Sequence, residues 1–101
     1  MDPATLKEKL IAVLVQIQDA SHLECPPLTG ASKPVDQIPK FDSKIWPVAT
    51  TLLGIEIGAV IPNDVNLFVD ERTKLPRSID QTVAFVCDLL KEQSEMGAAT
   101  A

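Results

Sequence analysis

The sequence predicts an all-α domain of four helices, packed as a bundle with a long first loop and a short third helix. Three segments carry that prediction, spanning Leu6 to Ile17, Ile45 to Ile57 and Ile79 to Leu90. In each, aliphatic residues recur at intervals of three and four, the spacing that lines one face of an α-helix. Each is preceded by residues that favour a helix N-cap: Asp2, the pair Asp42-Ser43, and Ser78. Between the first two lies Glu24 to Lys40, whose four prolines and small polar residues are loop chemistry.

At 101 residues the chain is a single domain over positions 1–101, with just enough length to bury one core. The 46% apolar and 4% aromatic content makes that core mostly aliphatic. A net charge of −5 argues against nucleic acid, since binding phosphates needs clustered Lys and Arg. No basic, continuously apolar leader follows Met1, so neither a signal peptide nor a membrane span is expected, and the cytoplasm is the default compartment. With no export signal, Cys25 and Cys87 are expected as free thiols.

The first helix is placed at residues 3–20. Asp2 caps it and Pro3 takes the first helical position, where its missing N–H costs nothing. Leu6, Leu10, Val13, Leu14 and Ile17 form the inner stripe, leaving Lys7, Glu8, Lys9, Gln16 and Gln18 mostly on the other side. His22 and Cys25 follow. A catalytic pair would need an orienting group and oxyanion donors, and zinc would need more ligands than one further thiol. Neither set is present, so His22 is read as a helix-end residue and Cys25 as a small packing residue. The long loop runs over 22–42.

The segment FDSKIWPVATTLLGIEIGAVIP, residues 41–62, holds the second helix. Pro47 has no N–H to donate, so this helix is expected to begin nearer Trp46-Pro47, leaving Ser43 in the preceding turn. Trp46 is expected against the long loop, and Gly58 at the helix end in a C′ position. Pro62 to Phe68 is read as the short third helix, and Asp70 to Pro76 as a surface loop without chemistry. Ser78 and Gln81 have the spacing of a capping box, opening a fourth helix over 79–93 with Cys87 on its inner stripe. A frayed tail is expected over 94–101. The predicted core unites Leu10, Leu14, Val48, Leu52, Phe68, Val83 and Val86.

Asp42-Ser43 and Ile61-Pro62, with Ser43 and Pro62 separated by 19 positions, are the arrangement found in acyl carrier proteins. That family has an Asp-Ser-Leu motif at the start of its second helix and Ile-Pro at the start of its third. Over roughly residues 3–93 the chain resembles a divergent member. The resemblance implies a four-helix fold with a long first loop, and a 4′-phosphopantetheine arm attached at Ser43, with Asp42 helping to position the modifying enzyme. It implies no catalysis by the chain itself: an acyl or aminoacyl group rides on the arm as a thioester, in fatty acid or secondary metabolite biosynthesis. The partners implied are a phosphopantetheinyl transferase and acyl-activating or acyl-transferring enzymes, met by a monomer. A helix start suits a phosphodiester, because unpaired N–H groups and the macrodipole favour an anion there.

Three departures bear on function. Lys44 stands where the family usually has leucine. Residues 44–57 hold one acid, Glu56, where the family's second helix is strongly acidic. Pro47 displaces the helix start. These features favour an alternative, a protein–protein interaction module that keeps the fold without the modification.

Overall fold

In the computed structural model, residues 2–61 and 65–100 are described, 92–100 by backbone alone. Among the described residues four helices occur, in the order α1 (Pro3–Ala20), α2 (Pro34–Gln37), α3 (Trp46–Ile57) and α4 (Ile79–Thr100). No β-strand occurs among the described residues; one isolated antiparallel bridge joins Val69 to Pro76. The predicted class and the number of helices hold, but the short helix comes second in the chain.

α1 starts where its cap dictates. Asp2 Oδ2 accepts from both the backbone N–H and the hydroxyl of Thr5, at 3.3 and 3.2 Å. Its inner stripe of Leu6, Leu10, Val13, Leu14 and Ile17 is buried, and the helix packs against both α3 and α4. Gln18 departs from the expected outward placement, at 2% exposure. Its amide donates to the carbonyls of Glu24 and Pro39, both at 3.0 Å. The two hydrogens of one amide nitrogen, Nε2, serve two orphan carbonyls at once, and that satisfaction lets a polar side chain sit inside.

The long loop is therefore anchored at both ends by one side chain. It is also anchored in its middle. Ile79 N–H donates to Ser32 O at 2.8 Å, and Asp80 N–H to Gly30 O at 2.9 Å. Within it, Pro34 opens the four-residue α2, and Lys33 N–H donates to Gln37 Oε1 at 2.8 Å. So short a helix has no periodicity to read. At the loop's end, Phe41 enters the core edge-on to Phe68, with ring centroids 4.9 Å apart. This edge-to-face contact suits the ring quadrupoles.

α3 begins at Trp46, with Pro47 in its first turn, as the missing N–H requires. Gly58 ends it in the left-handed region at φ 68°, and Ala59 N–H reaches back to Gly54 O at 3.0 Å. A residue with a Cβ adopts that conformation only at a cost, which explains the glycine. The expected core placements of Val48 and Leu52 need correction: Val48 is 46% exposed and Leu52 only half-buried. Ala49, Thr50, Leu53 and Gly54 form the buried face instead. The segment is apolar all round, so its pattern does not choose a face. Thr50 tolerates burial because its hydroxyl donates to Trp46 O at 2.9 Å.

The short helix expected over 62–68 does not form in its described part, while residues 62–64 lie outside the described residues. Asn66 is the reason. Its Oδ1 accepts from Phe68 N–H and Val69 N–H, at 3.1 and 3.2 Å, giving the backbone a local alternative to helix. Arg77 then donates to the carbonyls of Asn66 and Val69, while its guanidinium lies 4.1 Å from the Phe85 ring centroid. Phe68 is thereby held in the core with Leu67.

At α4 the capping box is reciprocal: Gln81 N–H donates to Ser78 Oγ, and Ser78 N–H to Gln81 Oε1. The helix runs on to Thr100 instead of stopping near 93. Glu, Gln, Met and Ala in its last turns are good helix formers, so the tail extends the helix. Ile79, Val83 and Val86 are buried, and Cys87 is half-buried beside them. Cys25 and Cys87 are both free thiols.

Candidate functional site

Asp42, Ser43 and Lys44 form the turn that feeds α3. The backbone carbonyl of Asp42 accepts from Ile45 N–H at 3.0 Å and Trp46 N–H at 3.2 Å. Its carboxylate accepts from Lys44 N–H at 3.0 Å. Asp42 therefore braces the turn and engages the donors that lead into the helix. Ser43 sits at the apex of this brace, exposed, in the turn that precedes the helix. Among the described residues its hydroxyl engages no hydrogen-bond partner.

Beside Ser43 a shallow cleft of about 160 Å³ is lined by Trp46, Pro47 and Thr50 from α3. Val65, Asn66 and Leu67 form its opposite wall. The indole of Trp46 is half-buried, and its Nε1–H donates to Phe41 O at 3.3 Å. This contact seats the ring against the end of the long loop, where the sequence placed it. The opposite wall is held by the Asn66 turn and the Arg77 clamp described above. Sequence reasoning missed both of these residues. The one available signal was Asn66 itself, since Asx residues close turns on their own backbone.

The start of α3 is poorer in anion-binding donors than the sequence predicts. Ile45 and Trp46 spend their N–H groups on Asp42, and Pro47 has none. The start of α3 thus presents fewer free donors than a regular helix end. An anion on Ser43 would instead find Lys44, exposed and next in the chain, as its nearest cation in sequence.

His22 and Cys25 are not brought into a catalytic arrangement. His22 is exposed, at φ 57°, just past α1. Cys25 Sγ lies 3.7 Å from Pro26 O, and burial pushes its thiol above the usual range, which holds it in the unreactive protonated form. Among the described residues no group of three His, Cys, Asp or Glu side chains is placed to hold a metal ion, and no helix is long and apolar enough to cross a membrane. Compared with known protein families, curated proteins and solved structures, the chain matches none.

Proposed function

We propose that the protein is a carrier, with Ser43 as the attachment point of a 4′-phosphopantetheine arm. The observation that supports this reading most is the exposed, unbonded Ser43 hydroxyl on a turn braced independently of it. A modifying enzyme needs such a hydroxyl: reachable from solvent, and free to be consumed without unravelling the helix behind it. Asp42 holds the turn, and its exposed carboxylate is adjacent to the enzyme's approach. Lys44 offsets the phosphodiester charge. The cleft walls of Trp46, Pro47, Val65 and Leu67 give the first apolar atoms of an arm a surface to lie on. The arm supplies a thiol on which an acyl or aminoacyl group is carried as a thioester. The chain itself supplies attachment, orientation and docking, and catalysis belongs to the transferase and the acyl-activating or acyl-transferring partners.

The test is incubation with coenzyme A and a broad-specificity phosphopantetheinyl transferase, followed by intact mass measurement. A gain of one phosphopantetheinyl group, lost in Ser43→Ala, is the expected result. No gain with that enzyme and with each transferase of the source organism would reject the carrier.

A second reading, an unmodified interaction module, is favoured by one observation. α3 carries a single acid, Glu56, and exposes Val48 and Ile55. Such a surface offers little to a basic partner face.

A further inference from the structure

We infer that the arm attached at Ser43 lies along the outer flank of α3 and delivers a short, uncharged aliphatic acyl group to a second cleft at the far end of that helix. This cleft, of about 490 Å³, is lined on α3 by Thr50, Thr51, Gly54 and Ile55, and beyond it by Val60 and Ile61. Thr50 also lines the cleft beside Ser43, so the two adjoin through one side chain. Pro47, Thr50, Gly54 and Gly58, three or four residues apart, mark the line along the helix that the two clefts share. Gly54 makes room for the second wall: a Cβ there would stand 2.8 Å from Ala59 O, and without one the chain after Gly58 turns back beside the helix. The bond from Ala59 N–H to Gly54 O at 3.0 Å holds it there. On the inner face of α3, Ala49 and Leu53 are closed to solvent, so the groove is an outer surface.

The length of the tether selects this occupant. From the serine oxygen to its sulfur a phosphopantetheine arm has about fourteen main-chain bonds, the length of nearly five extended residues, or about 16 Å. From Pro47, beside Ser43, to Gly58 the chain of α3 advances about 16 Å at 1.5 Å per residue. A fully extended arm therefore brings its sulfur level with Gly58. A relaxed arm brings it level with Gly54 or Ile55, where the acyl group falls on the second cleft. Attachment also holds the end of the arm at about millimolar effective concentration, so an open cleft of modest affinity suffices. The lining decides the cargo. Among the described residues no charged side chain lines this cleft, and Ile55 and Val60 rim it at 70% and 81% exposure. A carboxylate or ammonium would lose solvation there without gaining a partner, whereas methylenes gain by leaving water. Since the arm itself takes up most of α3, only the first few carbons of a cargo meet the cleft.

The inference rests on the carrier reading, and the experiment separates the two. The broad-specificity transferase is given acetyl-, propionyl-, butyryl- or malonyl-coenzyme A, and loading is verified by intact mass. No gain from any of them rejects the carrier reading and the inference with it. In the loaded protein, propionyl and butyryl should shift the backbone amide resonances of Thr51, Ile55 and Gly58 relative to the unacylated arm. Malonyl, which matches propionyl in length but ends in a carboxylate, should not. Cleavage of the thioester by hydroxylamine, measured against the same acyl group on free pantetheine, should slow by about twofold to fourfold for each methylene added from acetyl to butyryl. Thr51→Trp fills the cleft from an exposed position and should abolish that slowing with an unchanged circular dichroism spectrum. Loading followed by undisturbed amides at these positions, cleavage as fast as on free pantetheine, malonyl protected as well as propionyl, or protection that survives Thr51→Trp would each overturn the inference and leave the carrier standing.

Discussion

Gln18 shows why single residues in the sequence mislead. Composition places a glutamine outside, and the stripe on α1 leaves position 18 on the outer side as well. Only the two carbonyls of the long loop, brought back by chain reversal, give that amide a reason to be buried. Asp42 was expected as a cap of the second helix, but its carboxylate accepts from Lys44 N–H in the preceding turn, and no side chain caps α3 at Ile45. Asp70 is a residue of the same kind in a segment that sequence left without a role. Its Oδ1 accepts from Arg72 N–H at 2.8 Å and Thr73 N–H at 3.2 Å. Those two bonds, with the charges of Arg77 and Arg72 adding to them, hold its carboxyl below the usual range. A depressed folded-state pKa contributes stability that is complete above the unfolded value of about 3.9 and is lost as pH falls through the folded value. Asp70→Asn removes that titration. The gap in urea midpoint between wild type and Asp70→Asn should therefore be constant near neutral pH and narrow below about pH 4. An unchanging gap into acid would mean the turn does not depend on the charge.

Helix ends were more legible than helix faces. α1, the start of α3 at Trp46 and the Ser78-Gln81 box all follow from rules spanning three or four residues, which a sequence displays completely. The buried face of α3 follows from what packs against it, and an evenly apolar helix carries no record of that. The short helix likewise moved from 62–68 to Pro34–Gln37, since Asn66 closes a turn where a helix was expected. The box at α4 gives the sharpest test at this scale. Ser78→Ala removes the acceptor of Gln81 N–H and should cost about 0.5–2 kcal/mol in chemical denaturation. Gln81→Ala should cost a comparable amount, and the double variant less than the sum, because each side chain serves the other's backbone. Strict additivity would show that the two bonds act independently.

Across the whole molecule, the all-α class and the single core were readable from three apolar stripes, while the path of the long loop was not. Four prolines argue against a long helix or a strand in the segment, which holds only the four-residue α2, and they say nothing of where it lies. Its course is set by contacts distant in sequence: Gln18 at both ends, Phe41 on Phe68, and the carbonyls of Gly30 and Ser32 on the start of α4. The candidate site inherits this arrangement, because Phe41 and Trp46 tie the Asp42–Lys44 turn to the end of that loop.

The bonds from Ile79 and Asp80 to the loop also govern how the molecule opens. Amides in the first turn of a helix have no partner within it and ordinarily exchange with solvent deuterium soon after mixing. Here the partners lie almost fifty residues earlier, so these two hydrogens are released only when the loop leaves α4. Their exchange therefore reports on loop detachment and not on fraying of α4. In native-state hydrogen exchange, Ile79 and Asp80 should be protected far beyond the neighbouring amide of Gln81, whose acceptor is the exposed Ser78 hydroxyl. Gln18→Ala, which frees both ends of the loop some distance away, should speed the exchange of Ile79 and Asp80 and leave that of Gln81 unchanged. Equal acceleration at all three would show that the loop and the helix open together as one unit.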